Sequence, residues 1–464
     1  MSGDISGAAR GLARHGWTQR ASWGAGVAGL LLLAGCSGAG GGQAAAVRPP
    51  ATVTITSGNL TFSSAATAAK GAGRDHRAGA AVLTSPAATG AGALDTRPDL
   101  GVAVSVRDGT LSQVVVRNAA GAAVPGSYAA GSRAWRTGWA LVPGQTYQVT
   151  ATAVNPAGRR TVAAGMFRTF RPQRGFTATT TLTPGETVGV GMPIMVTFSQ
   201  PVRDRAAVER SLEVWSSKPV TGAWYWMDSK DVWFRPEYYW PAHDQVRFTA
   251  HLAGVQGAPG VYGRANLSQH FQIGSALIAR ANTATHHMKV WWNGRLLGNW
   301  PISTGRPGMD TADGNYLSFA MANPVDMNSA TIGIPAGSPG YYNELVYDAV
   351  QFTASGTYIH SAPWSVAEQG IVNVSHGCVN VGPANAVWYY NHSMLGDPIS
   401  VVGSPQPGTW GNGWTIYFLG WRKLLAGSAT GEAVQAGSQG SRFVTASVTQ
   451  APAAAAPSVH QRAA

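Results

Sequence analysis

Short runs of alternating or β-branched residues, each closed by a turn-forming cluster, recur along the first half of this chain and limit what it can fold into. Residues 102–106 read Val-Ala-Val-Ser-Val, residues 114–116 are three valines, and residues 147–154 read Tyr-Gln-Val-Thr-Ala-Thr-Ala-Val. Between them stand Asp108-Gly109 and Pro143-Gly144, and Asn155-Pro156-Ala157-Gly158 follows the last. A two-residue period puts alternate side chains on one face of a strand, whereas an amphipathic helix needs a longer run at a period near 3.6. Strands this short bury their apolar faces only by assembling into sheets that pack on each other.

The spacing predicts an immunoglobulin-like β-sandwich over residues 51–172, with an Ala/Gly/Thr-rich, mobile insertion at 63–92. A second sandwich is expected over 173–273, its clearest strands at 193–198 and 245–250. Residues 166–170 (Met-Phe-Arg-Thr-Phe) and 270–273 (His-Phe-Gln-Ile) close the two domains alike, as a repeat would. Trp224, Trp226, Trp233, Tyr238, Tyr239 and Trp240 are read as core of the second sandwich in preference to a carbohydrate-stacking surface, because aromatic strands usually fill a core. From 274 the pattern shifts to longer hairpins. Residues 289–297 set Asn293-Gly294 between apolar strands, a strong two-residue turn signal. A helix is expected at 382–391, with Pro383 suited to its first turn. Residues 404–425, with Trp410, Trp414, Tyr417 and Trp421, read as an extension packing back on the 274–403 domain. The Ala/Ser/Gln-rich 426–464 is expected to be disordered.

The ends of the chain and its charge suggest a compartment. An apolar run from Val27 follows Arg10, Arg14 and Arg20 and ends in Leu33-Ala34-Gly35-Cys36, the pattern of a lipoprotein signal peptide (1–35) cleaved before a lipid-modified Cys36. The run is short for a membrane span, and a Gly-rich tether (36–50) follows. Removing 1–35 leaves 30 basic against 20 acidic residues, a net charge of +10. Such charge either draws an exported protein to anionic wall polymers and lipid headgroups or keeps it soluble. With no Lys/Arg-rich run and no recognisable nucleic-acid module, nucleic acid is not an expected partner.

Two cysteines are present, Cys36 and Cys378. With Cys36 acylated, Cys378 has no disulfide partner in a compartment where orphan thiols are hazardous, which points to reactivity. A Cys36–Cys378 disulfide or an inert buried thiol are the competing readings. His376 and Cys378 are two apart, so an extended segment would bring imidazole and thiol to one face, where the imidazole can generate a thiolate nucleophile. Gly377 between them lets a backbone N–H approach an oxyanion, and the N-terminus of the 382–391 helix is placed to favour the thiolate. A zinc site of His360, His376 and Cys378 is the rival, but no CxxC, HExxH or nearby carboxylate completes it. His286-His287 is read as a solvated doublet. Ser375 lacks the Gly-x-Ser-x-Gly setting of a serine nucleophile.

His360, fourteen intervening residues, then Ser375-His376-Gly377-Cys378-Val379-Asn380 resembles the signature of the L,D-transpeptidase (YkuD) catalytic domain. Residues 358–365 (Tyr-Ile-His-Ser-Ala-Pro-Trp-Ser) and 301–308 resemble active-site segments of multidomain actinobacterial members. The fold class is accordingly mainly β: two immunoglobulin-like domains carrying a YkuD-type domain at 274–403. The resemblance implies Cys378 as nucleophile, His376 as its base, and the Ser361 carbonyl orienting that imidazole. It implies oxyanion donors from the Gly377 and Cys378 amides or the Tyr342 hydroxyl, and a pocket of Met327, Tyr342, His360, Trp364 and Asn380. His360 is implied as a second histidine that shapes this pocket or assists proton transfer without being the primary base. Tyr341 competes with Tyr342 for the lid position, and Asn380 is equally readable as structural. The implied activity is 3→3 crosslinking of peptidoglycan between diaminopimelates, through a Cys378 thioester on a donor stem peptide, resolved by an acceptor stem, without metal or organic cofactor. It also implies acylation by carbapenems and, through Cys36, a lipid anchor on the outer membrane face with the enzyme facing the wall. An L,D-carboxypeptidase and a non-catalytic wall-binding scaffold are the alternatives.

Overall fold

The computed structural model describes residues 49–64 and 95–445. The expected signal peptide, Cys36, nearly all of the tether, the bulk of the 63–92 insertion and residues 446–464 lie outside that set.

Two sheets face each other in the first sandwich. One runs in the order Leu60–Ser63, Thr52–Ser57, Ala103–Arg107, Ala134–Thr137, Gly126–Tyr128, and the other Asp95–Thr96, Arg160–Thr169, Thr146–Val154, Thr110–Asn118. Val53, Ile55, Val104, Val116, Tyr147, Val149 and Phe167 alternate with outward residues and fill the space between them. Tyr147 buries its ring and satisfies its hydroxyl on the backbone, accepting the Val142 N–H at 2.8 Å.

The second sandwich pairs a four-stranded sheet (Thr187–Val188, Leu267–Ile273, Gln245–Ala250, Leu212–Ser216) with a six-stranded one. Trp224 and Trp240 are fully buried and Trp226 nearly so, which makes them core. Burying one such side chain contributes about 1.5–3 kcal/mol. Tyr238 departs from the expectation and points outward, 71% exposed.

The six-stranded sheet corrects the reading of the tail. Its order is Ala178–Thr180, Ile194–Phe198, Asp231–Pro236, Val220–Trp226, Ala433–Gly437, Gly440–Val444, so residues expected to be disordered form a hairpin on its edge. Composition misled because the hairpin's inward residues are small: Val434 and Ala436 join the sandwich core. Buried Glu209 fixes the approach, accepting from the Ala429 amide and the Ser428 and Thr430 hydroxyls of the strap, and from Trp226 Nε1 at 2.9 Å. The extension before it also reaches further than expected. Ile416, Leu419, Leu424 and Leu425 pack with Leu317 of the third domain and with Ala223 and Ala433 of the second. Buried Arg235 donates to the Leu419 carbonyl at 2.7 Å and lies over the Tyr417 ring.

The third domain is one continuous strand path. Its order is Gly314–Leu317, Pro398–Val402, Leu277–Asn282, His287–Trp292, Arg295–Ser303, Val379–Val381, Tyr358–Ser361, Asn343–Gln351, Ala320–Ala322, with Val325–Asn328 also on Asn343–Gln351. Asn293 and Gly294 both take positive φ (50° and 79°), as the Asn-Gly hairpin requires. The helix Pro383–His392 starts at the expected proline and lays Ala386 and Tyr389 on the core.

Candidate active site

Three adjacent strands hold the site. Tyr358–Ser361 runs parallel to Val379–Val381 with His360 level with Asn380, and Arg295–Ser303 flanks antiparallel with Ser303 level with Asn380. Ile302, Ile359, Val379 and Val381 are buried behind them, so the polar residues between them are set on a rigid base. Asn380 itself is buried, its Nδ2 donating to Ser365 Oγ at 3.0 Å.

The segment before Cys378 is not the expected strand. Residues 371–374 form a turn and irregular backbone and 376–378 a bend, with Ile371 70% exposed. Polar stitching holds it in place of apolar burial. Ser303 Oγ donates to the Val372 carbonyl and accepts the Val374 N–H, and the Ser375 amide donates to the Thr304 carbonyl. Asn373 Oδ1 accepts the Thr304 N–H and faces His286 Nδ1 at 2.9 Å, while its Nδ2 donates to Thr283. His286, read as solvated, therefore clasps the loop, with Nδ1 carrying its proton. Gly377 has φ of 130°, a conformation open to glycine, and its carbonyl accepts from Thr311 Oγ1 at 2.7 Å.

That bend separates the two histidines. His376 turns to Arg306, whose Nη1 donates to its Nε2 at 2.9 Å, and its ring lies 4.4 Å from that of Tyr342. Burial and then the Arg306 charge lower its pKa, so this imidazole stays neutral. The Ser361 carbonyl, expected to orient His376, instead accepts from His360 Nδ1 at 2.9 Å. His360 is buried, and burial lowers its pKa against the opposing pull of that bond. Its proton sits on Nδ1, leaving Nε2 as an acceptor. Cys378 lies at the end of that bend, one residue before the Val379–Val381 strand that pairs with the strand of His360.

Cys378 is a free thiol. Its Sγ lies 3.8 Å from the Gly356 carbonyl and receives the Tyr358 N–H. Burial pushes it up to about 11, with the Tyr358 N–H opposing and the Glu344 charge adding, so the resting group is S–H and not the expected thiolate. Of the expected oxyanion donors, one is already engaged. Gly377 spends its N–H on Ser375 Oγ, whereas the Cys378 amide finds no acceptor among the described residues. Tyr342 and Tyr358 have raised pKa values, chiefly from burial and then from the neighbouring thiol. Tyr342, held by its amide bond to Ser329 Oγ, is the tyrosine facing His376, and Tyr341 is on the surface. Trp364 stands half out of the protein with its ring 6.0 Å from His360, and Met327 sits level with Glu344 on the adjoining strand pair. Among the described residues no three His, Cys, Asp or Glu side chains converge as metal ligands.

The resemblance to known proteins follows the same division. Residues 93–256 match the bacterial Ig domain, and residues 277–401 match the L,D-transpeptidase catalytic domain. L,D-transpeptidase 2 of Mycobacterium tuberculosis is 36% identical over 335 residues, covering 71% of this chain and 82% of that protein. L,D-transpeptidase 1 of the same organism is 42% identical over 219 residues, 47% of this chain and 82% of that protein. A solved L,D-transpeptidase in complex with imipenem is 41% identical, covering 50% of this chain and all of its own, with a TM-score of 0.43. With a bent Ser-His-Gly-Cys loop on the strand ladder and a relative matched over most of its length, the chain belongs to the L,D-transpeptidase family.

Proposed function

We propose that the enzyme crosslinks peptidoglycan stem peptides through a Cys378 thioester, with His360 and not His376 as the proton carrier. The observation that carries this assignment is the His360 Nδ1 bond to the Ser361 carbonyl, which leaves Nε2 of a neutral imidazole free to accept, on the strand paired with the one that Cys378 immediately precedes. Cys378 Sγ attacks the carbonyl between the L-centre of diaminopimelate and the terminal D-alanine of a donor tetrapeptide, and His360 Nε2 takes the thiol proton. His360 returns that proton to the departing D-alanine amine, leaving the thioester. The side-chain amine of an acceptor diaminopimelate then attacks the thioester and gives its proton to His360, which passes it to the released sulfur. A 3→3 crosslink and a free thiol result. The Cys378 amide and the Tyr342 hydroxyl supply the oxyanion donors.

A carbapenem carbonyl is a comparable electrophile, so the same thiol is expected to take one drug molecule. Cys36 is proposed as the lipid-bearing residue, holding the enzyme on the outer membrane face toward the wall. Intact-protein mass spectrometry of the region after Cys36 with a carbapenem, beside Cys378→Ala, tests the thiol. One adduct on the parent and none on the variant is the expected result. Muropeptide analysis then reads the product: a crosslinked dimer supports transfer, and a tripeptide alone means that water resolves the thioester as in a carboxypeptidase. No adduct on folded parent would overturn the catalytic reading in favour of a scaffold.

A further inference from the structure

We propose that Arg306 is a substrate-binding residue that grips a carboxylate of the stem peptide at the mouth of the site, an inference that rests on the proposed substrate. Residues 307–421 contain no Lys or Arg but seven acidic side chains: Asp310, Asp313, Asp326, Glu344, Asp348, Glu368 and Asp397. Arg306 is therefore the cation that enters a segment otherwise of one sign. It is half-buried and bound to His376, whose ring packs on Tyr342, so it belongs to the wall of the site.

Its charge is uncompensated. Among the described residues the ion pairs are Arg97–Asp99, Arg210–Glu432 and His251–Glu213, and Arg306 joins none. Only Nη1 is used by a protein group, leaving Nε and Nη2 without an acceptor among the described residues. Those two N–H groups form the side-on edge of the guanidinium, which matches a carboxylate with two parallel bonds. Arg97 uses that same edge in this chain, gripping Asp99 through Nε at 3.1 Å and Nη2 at 2.6 Å. Gly340 stands over Nη2 with no side chain to close the approach; a Cβ there would come within 3.8 Å of it. A donor stem ending in diaminopimelate–D-alanine carries carboxylates on both sides of the bond to be broken, and with the Glu344 charge already acting on Cys378 and Tyr342, a counter-charge at the site favours their approach.

The soluble enzyme, Arg306→Gln and Arg306→Lys would be assayed for D-alanine release on three tetrapeptides: one with both carboxylates free, one amidated on the diaminopimelate side chain, one amidated on D-alanine. Glutamine retains a donor for His376 Nε2 and removes the charge. Alkylation of Cys378 by neutral iodoacetamide reports whether the thiol is disturbed. We expect Arg306→Gln to raise KM for the free-acid peptide roughly tenfold to a hundredfold. Its kcat and alkylation rate should stay within about threefold. Parent enzyme should lose the same factor on whichever amidated peptide lacks the gripped carboxylate, and Arg306→Gln should not distinguish that peptide from the free acid. An equal KM for parent and variant, or an equal loss on all three peptides, would overturn the inference while leaving the catalytic reading standing. A parent that turns over none of them would overturn both.

Discussion

Exchanging the two histidines' roles has a measurable consequence in the acylation rate of Cys378. With the thiol pushed up to about 11, only about one molecule in ten thousand carries a thiolate at pH 7. Chemistry without a base is confined to that fraction. Removing the base is expected to slow acylation about 10²–10⁴-fold, or about 3–5 kcal/mol of activation free energy. His360→Ala should show that loss, and its rate should climb about tenfold per pH unit from neutrality toward about 11. His376→Ala removes the Arg306 bond and the packing on Tyr342, each worth about 1 kcal/mol, for a loss of at most about thirtyfold and no steepening with pH. Stopped-flow acylation by a carbapenem from pH 6 to 10, with thermal melts confirming that both variants fold, gives the comparison. A larger loss in His376→Ala than in His360→Ala, or a pH profile for His360→Ala parallel to the parent's, would refute the assignment.

Other perturbations read out other parts of the argument. Gly305→Ala would place a Cβ 2.0 Å from the Met309 carbonyl, so the loop that supports Gly377 must shift; melts should show a loss of about 1–3 kcal/mol, and an unchanged Tm would contradict it. Asp397, fully buried, is pushed well above the ordinary carboxylate range by burial, with the Met394 amide bond opposing. Its folded pKa exceeds its unfolded one, so its contribution is fully present below the unfolded value and is lost as pH rises toward the folded one. Asp397→Asn should therefore be the more stable protein at pH 7 and lose that advantage near pH 3, in urea titrations; a pH-independent difference would dismiss the idea. Glu209→Ala strips one acceptor from four donors and is expected to cost about 3–5 kcal/mol, checked by denaturant unfolding of the full chain, where a loss under 1 kcal/mol would argue against the clasp.

Regular elements were legible where local chemistry sufficed. Residues 245–250 are a strand because alternating Val246, Phe248 and Ala250 bury one face, and Asn293-Gly294 could only be a tight turn. The reactive thiol was legible from its fixed neighbours. What the motif could not convey was the shape of its own backbone. Valines at 372 and 374 suggest a strand, but Ser303, Thr304 and Asn373 outbid that propensity with hydrogen bonds, and the resulting bend sends His376 to Arg306. The clasp by His286, 87 residues from Asn373, had no local signal. Neither did the hairpin at 433–444, whose pairing partner lies at Val220–Trp226, more than two hundred residues earlier.

That hairpin makes the second sandwich discontinuous: residues 173–273 and 433–444 build one domain, and the entire catalytic domain is an insertion between them. During synthesis the outer edge of Val220–Trp226, whose inner edge pairs with Asp231–Pro236, waits for residues 433–444 to emerge, so the central domain is completed after the enzyme it carries. Both ends of the catalytic domain are thereby tied to the same support. A two-point attachment resists rotation where a single linker would act as a swivel, and it fixes the direction in which the thiol faces. Deleting residues 433–444 would damage the support without touching the chemistry.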